Sequence, residues 1–294
     1  MASGNAGFYA LLLGQELQAK HFVFLILLTA VLSVLSYKFI EQPFRDRKKI
    51  GTGSFLLSVF FAFLATNAAA FYVYQMGGVL KDVPELGISA SRAAGHNHAA
   101  YNDRIHDYNR KFVSESKQKV LVIGASFARD WANVLLESRF SKKLEVSYLP
   151  DPSGSSAFAE RKKEAKIIFW ETPGKDRIRK LVVDESKIWG VGIKNFGVSN
   201  GIYYNYSGDD YYGQRTLMHK GTLQKNDVLK SRWQDRYIDY IAKIIDENAK
   251  VPVFTPAGRF ISHDGRHLTK AGAQYFAQLF DAELANIISG ARSR

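Results

Sequence analysis

Val120-Leu121-Val122-Ile123-Gly124-Ala125-Ser126-Phe127-Ala128-Arg129-Asp130-Trp131 carries the change from strand to helix around which the chain is organised. Val120 to Ile123 is a short, wholly apolar run, preceded by charge and followed by Gly124. That pattern predicts a parallel strand buried on both faces and feeding a turn. From about Phe127 to Leu136 the apolar residues recur at helical spacing. The small-residue turn between them puts Ser126 at the carboxyl end of the strand and the start of the helix. There its hydroxyl faces a crevice, and its N–H is one of the free donors of a helix N-terminus, suited to an oxyanion. A serine that merely caps the helix leaves the same trace, so this motif alone does not separate the two readings.

Outward from this stretch the alternation continues. Leu144 to Leu149, Ile167 to Trp170, Ile188 to Ile193 and Val251 to Phe254 are strand candidates. Helices are expected near 158–164, 174–182 and 232–248, with a last one from about Thr269 to Ile288. Strand and helix alternating in this way predict an α/β sandwich with a central parallel sheet, whose ligand sites lie beyond the carboxyl ends of its strands.

His263-Asp264-Gly265-Arg266-His267-Leu268-Thr269 stands just before that last helix. The spacing of Asp264 and His267 lets the carboxylate reach the imidazole Nδ1–H, fix the tautomer and leave Nε2 free to take a proton from a serine. This block makes Ser126 a candidate nucleophile rather than a cap. A zinc site on His263 and His267 lacks a third ligand, and Gly265 between them fits a loop better than a helix.

Gly124-x-Ser126 after the first strand and Asp264-x-x-His267-Leu268-Thr269 before the last helix resemble the first and last blocks of SGNH hydrolases, over residues 118 to 290. The resemblance implies an SGNH-type three-layer α/β/α sandwich and a catalytic triad of Ser126, His267 and Asp264. It also implies an oxyanion hole built from the Ser126 N–H, Gly154 in Pro152-Ser153-Gly154-Ser155, and Asn195 in Gly192-Ile193-Lys194-Asn195-Phe196-Gly197. Read without the resemblance, Gly154 is equally a turn glycine and Asn195 a loop asparagine. One position departs from the family: Ala125 stands where the block has Asp before the serine. The triad does not need that carboxylate, because Asp264 orients His267, but the change bears on the turn beside the nucleophile.

Residues 22 to 80 are strongly apolar outside one charged hairpin. The run from Phe22 to Tyr37, with Phe39 and Ile40 beyond Lys38, just reaches the length that crosses a hydrocarbon core of about 30 Å. Ile50 to Leu80 contains no charge and exceeds that length. Two such runs beside a short charged hairpin predict a transmembrane pair. Lys38, Arg45, Arg47, Lys48 and Lys49 crowd between the runs, which predicts a cytoplasmic hairpin with the N-terminus and everything after Leu80 on the other side. The basic cluster follows the first run and no small-residue cleavage pattern precedes the second, so no processed signal peptide is expected.

Ser36-Tyr37-Lys38-Phe39-Ile40-Glu41-Gln42-Pro43-Phe44-Arg45 resembles the end of the membrane domain of acyltransferase-3 proteins, bacterial integral-membrane enzymes that acylate surface polysaccharides. Locally it reads as a helix that leaves the membrane, caps at Glu41-Gln42 and stops at Pro43. The resemblance covers residues 20 to 50, and some members add one more helix and an SGNH domain, the layout seen from Gly51 onward. Four regions follow: 1–50, a remnant of the acyltransferase-3 membrane domain with one transmembrane helix; 51–80, a second transmembrane helix; 81–118, a linker or extension packing on the catalytic domain; and 119–294, the catalytic domain. His96, His98 and His106 read as solvated side chains, with no ligand pattern around them.

Composition bounds the rest. The 40 Lys and Arg against 28 Asp and Glu give a net charge of +12, but the basic residues are scattered and no nucleic-acid motif accompanies them, so no nucleic-acid partner is expected. With no cysteine the chain has neither disulfides nor Cys-ligated metal. The two resemblances together imply an O-acyltransferase, acetyl being the implied group, that acts on a surface glycan such as O-antigen or exopolysaccharide. It would sit in the bacterial cytoplasmic membrane with its catalytic domain periplasmic or extracellular. No tightly bound cofactor is expected; acetyl-CoA or another acyl donor is the ultimate co-substrate. A membrane-anchored carbohydrate esterase is the alternative, and a truncated or accessory fragment is a third reading. Two helices cannot enclose a path for a polar donor, so a separate acyltransferase membrane domain is an expected partner. The tyrosines of Tyr203-Tyr204-Asn205-Tyr206 and Tyr211-Tyr212 form either a carbohydrate platform or ordinary loop packing.

Overall fold

The structure is a computed structural model that describes residues 19–45, 50–75, 85, 98–153, 156–181, 183–197, 210–262 and 264–290. The chain divides into two compact units, one helical and one α/β.

In the helical unit, α1 (Ala19–Arg45) and α2 (Thr52–Gln75) have mean hydropathies of 2.2 and 1.9, and both are long and apolar enough to cross a membrane. Neither buries a residue within the protein: Phe22, Leu32, Phe60 and Phe71 all point outward. A helix that is apolar all round has no stable place in water. Their polar side chains bond back to the helix itself. Thr29 Oγ1 donates to Leu25 O at 2.7 Å, Thr66 Oγ1 to Ala62 O at 2.8 Å, and Asn67 Nδ2 to Phe63 O at 2.8 Å. Side chains bonded in this way need no partner from outside the helix, as a helix that crosses hydrocarbon requires. The expected stop at Pro43 is corrected, since the helix runs on to Arg45. Tyr37–Glu41 form a π-turn just before the proline, with Gln42 N bonded to Tyr37 O. The wider turn accommodates a residue that lacks an N–H and crowds the preceding turn.

The α/β unit begins with α3 (His98–Asp103), continued by a 3-10 turn at Arg104–Tyr108. It then runs β1 (Gln118–Ile123), α4 (Ser126–Glu137), β2 (Leu144–Leu149), α5 (Ser156–Glu164), β3 (Ile167–Glu171), α6 (Lys175–Lys180) and β4 (Ile188–Val191). After these come β5 (Arg215–Leu217), α7 (Thr222–Trp233), β6 (Tyr237–Ile238), β7 (Lys250–Pro252), α8 (Lys270–Leu279) and α9 (Asp281–Ser289). Five strands make one parallel sheet in the order β2-β1-β3-β4-β6.

The apolar runs are continuous because both faces of the sheet are covered. Val120, Val122, Ile167 and Phe169 point to one face and join Trp131 of α4 with Phe276 and Leu284 of α8 and α9. Leu121, Ile123, Ile168 and Trp170 point to the other and join Phe158 of α5 and Ile178 of α6. The period-2 alternation of strand side chains thus divides one apolar string between two cores, which gives the three layers.

The C-terminal half corrects three expectations. Residues 232–248 are not a helix: α7 ends at Trp233, and Tyr237 and Ile238 enter the sheet against Gly190 and Val191. Tyr237, Ile241, Ile244 and Ile245 imitate a helical stripe, but edge pairing beside β4 overrides that local pattern. The expected strand from Val251 to Phe254 does not join the parallel sheet; β7 pairs antiparallel with β5. The last helix breaks at Phe280 into α8 and α9, and that ring is fully buried.

Candidate active site

The first strand delivers Ser126 through a constrained turn. Gly124 N donates to Leu149 O at 3.1 Å, continuing the ladder one residue past β1. Gly124 has φ +133, and a Cβ there would lie 2.5 Å from Cβ of Glu171, so only glycine fits. Tyr148 Oη donates to Gly124 O at 2.9 Å and Ala125 O at 3.3 Å, which holds the turn from β2. Burial pushes the Tyr148 phenol up to about 12, so it stays a protonated donor. The N-cap of α4 is Ala125, which has no side chain to cap with, and Ser126 is the first helical residue. Its Oγ makes no hydrogen bond among the described residues, which sets the capping reading aside. The cap comes from across the sheet, where Glu171 Oε2 at the end of β3 accepts from Ala128 N at 3.4 Å. A carboxylate suits the positive end of the helix. Neither Tyr148 nor Glu171 stood out in the sequence, because each acts through a contact made between neighbouring strands.

Asp264 and His267 meet as their spacing predicts, with His267 Nδ1 2.5 Å from Asp264 Oδ2. The other carboxylate oxygen, Oδ1, accepts the backbone N–H groups of Arg266 and His267, both at 2.8 Å. Burial alone would raise the Asp264 carboxyl; the His267 bond and these backbone donors outweigh it and hold the group well below the usual carboxylate range. Gly265 has φ +78, a loop conformation as expected. Thr269 then caps α8, its Oγ1 accepting from Gly272 N at 2.9 Å.

Asn195 lies in the loop after β4 and is buried. Its Oδ1 accepts from Gly197 N at 3.1 Å and His219 N at 3.2 Å. The oxygen is therefore engaged, while Nδ2 meets no acceptor among the described residues and remains a donor, the polarity an oxyanion needs. Phe196 N donates to Gly265 O at 2.8 Å, tying this loop to the Asp264 turn. The extension before β1 reaches the same turn: Asn102 Nδ2 donates to Leu268 O at 3.3 Å and Asn102 Oδ1 accepts from Asn133 at 3.1 Å. Ser126, Asn195, Asp264 and His267 thus stand on segments bonded to one another beyond the carboxyl end of the sheet.

Gly154, His96, His263, Tyr203, Tyr204 and Tyr206 lie outside the described residues. Tyr211 is buried, with its ring centroid 4.9 Å from that of Phe254, so it packs the loop and offers no platform. Tyr212 beside it is half exposed. His106 stacks edge-on against Tyr148 at 5.7 Å.

No family model matches the chain, and no curated protein does. Among solved structures, the lipopolysaccharide acetyltransferase periplasmic domain of Salmonella ser. Paratyphi A is similar. The match has a TM-score of 0.45 and 12% identity over 66% of this chain and 98% of that one. At that similarity no residue role passes from one protein to the other.

Proposed function

We propose that this chain is an SGNH-type O-acyltransferase component, anchored in a bacterial cytoplasmic membrane and acting outside the cytoplasm on a surface polysaccharide. The Asp264–His267 pair carries the reading: a short carboxylate–imidazole contact, in a turn whose next residue, Leu268, bonds to Asp130 of the helix that Ser126 starts, is the kind of pair that activates a hydroxyl. The sequence resemblances at residues 20–50 and 118–290 supply the substrate class.

In the first step Ser126 Oγ attacks an ester carbonyl carbon and its proton passes to His267 Nε2. Asp264 stabilises the imidazolium, and the oxyanion is received by the Ser126 N–H and the Asn195 amide, with Gly154 as a third donor on the family pattern. Collapse expels the alkoxide, which takes the proton from His267, and leaves an acyl-Ser126. A sugar hydroxyl or water then gives its proton to His267 and attacks the acyl carbon, regenerating Ser126. Water as the second acceptor makes the chain a carbohydrate esterase. Incubating the purified protein with an acylated and a free glycan, and measuring acyl release and acyl gain, distinguishes the two.

Two outcomes test this reading. A serine-directed ester probe should label the wild-type chain and leave Ser126→Ala unlabelled; equal labelling of both removes Ser126 as the nucleophile. Alkaline phosphatase fused after Leu80 should be active, because the basic hairpin at Arg45 to Lys49 favours the cytoplasm. A signal only from a cytoplasmic reporter overturns the orientation.

A further inference from the structure

The candidate groups stand on three segments far apart in sequence: α4 with Ser126, the loop 192–197 with Asn195, and the turn 264–267. One buried contact joins all three. Asp130, one helical turn after Ser126, and Lys194, next to Asn195, form an ion pair at 2.8 Å with both side chains fully buried. Oδ2 of Asp130 also accepts the N–H of Leu268, the residue after His267, at 3.0 Å. The Lys194 ammonium lies 3.6 Å from the ring centroid of Phe127, the residue after Ser126.

Such a pair is a poor stabiliser. Both ions lose their hydration, and well-packed apolar residues of similar volume hold a core as well or better. Here the penalty is larger still, because Asp130 Oδ1 has no hydrogen-bond partner among the described residues. What the pair adds over apolar packing is direction: a charge fixed on α4 faces a charge fixed on the Asn195 loop, and the same carboxylate oxygen pins the backbone beside His267.

Building on the acyl-enzyme reading above, we propose that Lys194 and Asp130 are positioning residues that hold Ser126, Asn195 and His267 in register for acyl transfer. Neither touches the reacting atoms. Loss of either charge lets three segments shift against one another, which weakens the attack and the oxyanion contact while leaving the substrate surface in place.

The test uses the full chain in detergent with p-nitrophenyl acetate as the probe. Lys194→Met and Asp130→Asn should each lower kcat by about tenfold or more with KM changed less than about twofold. The double variant Lys194→Met with Asp130→Asn removes both buried ions and keeps an acceptor for the Leu268 N–H, so its melting temperature should return close to wild type while its kcat stays low. A double variant with wild-type kcat, alongside an inactive Ser126→Ala, shows a purely structural pair and overturns this proposal alone. Should the double variant not fold, Asp130→Asn decides, since asparagine keeps the volume and an acceptor for Leu268; wild-type kcat there also overturns the proposal. Full turnover in Ser126→Ala overturns the acyl-enzyme reading and this proposal with it.

Discussion

His267→Ala should lower ester turnover by several orders of magnitude, on the order of 10⁴ to 10⁶, while the protein stays folded. The side chain is partly exposed, and among the described residues its imidazole meets the partly exposed carboxylate of Asp264, so its removal leaves no buried group stranded. What disappears is the base that takes the Ser126 proton. Asp264→Asn is the sharper companion. Asparagine keeps an oxygen for the N–H groups of Arg266 and His267, so the turn survives, but the amide nitrogen then facing the imidazole cannot accept the Nδ1–H and the wrong tautomer is favoured. A loss of about 10⁴ is expected there. Steady-state kinetics on purified protein, with circular dichroism to confirm folding, reads both. A folded His267→Ala variant with wild-type turnover removes the triad. The pH dependence adds a sign. Because the Asp264 carboxyl is held below its ordinary value, its stabilisation of the turn is present above the unfolded carboxylate pKa of about 3.9 and is lost only as pH falls through the lower folded value. Asp264 therefore stays ionised through neutral and mildly acidic pH, and loss of activity there does not come from its protonation.

The parts of this site that were legible in sequence are those encoded by neighbours along the chain. The β1 run, Gly124 and the serine after it form one local unit, and so do Asp264, Gly265 and His267; both fold as their spacing implies. Asn195 was legible as a position but not as a polarity, since Oδ1 is occupied only because His219 and Gly197 approach it. Glu171, Tyr148, Lys194 and Asp130 were silent: each is an unremarkable letter until the sheet order places it. The same logic explains the missed segment at 232–248, whose apolar spacing suits a helix and whose sheet partner, β4, lies more than forty residues earlier. Ala125 is the instructive case. The SGNH block that this stretch resembles has a carboxylate there, whereas here the first turn of the helix is capped by Glu171 from the adjacent strand.

Trp131→Ala should cost about 3–5 kcal/mol, the range for emptying a large aromatic site in a packed core. Trp131 is fully buried on α4, and its ring meets Phe169 of β3 at 5.2 Å, Tyr240 at 5.8 Å and Phe280 at 5.2 Å. Those partners come from the sheet, the segment after β6 and the break between α8 and α9, so one side chain links the helix that carries Ser126 to every layer on that face. Close-packed rings cannot flow into the space, and the cavity term adds to the lost burial. In a unit of this size the melting temperature should fall by on the order of 10 °C, measured on the full chain in detergent. Trp131→Phe should cost much less, for two reasons that act together. Phenylalanine keeps most of the ring contacts, and it removes an indole N–H that has no hydrogen-bond partner among the described residues. If Trp131→Phe destabilises as much as Trp131→Ala, the indole nitrogen is satisfied in solution and the packing account is wrong. Because α4 moves with this cluster, the alanine variant should also lose turnover at temperatures below its melting point, and the phenylalanine variant should not.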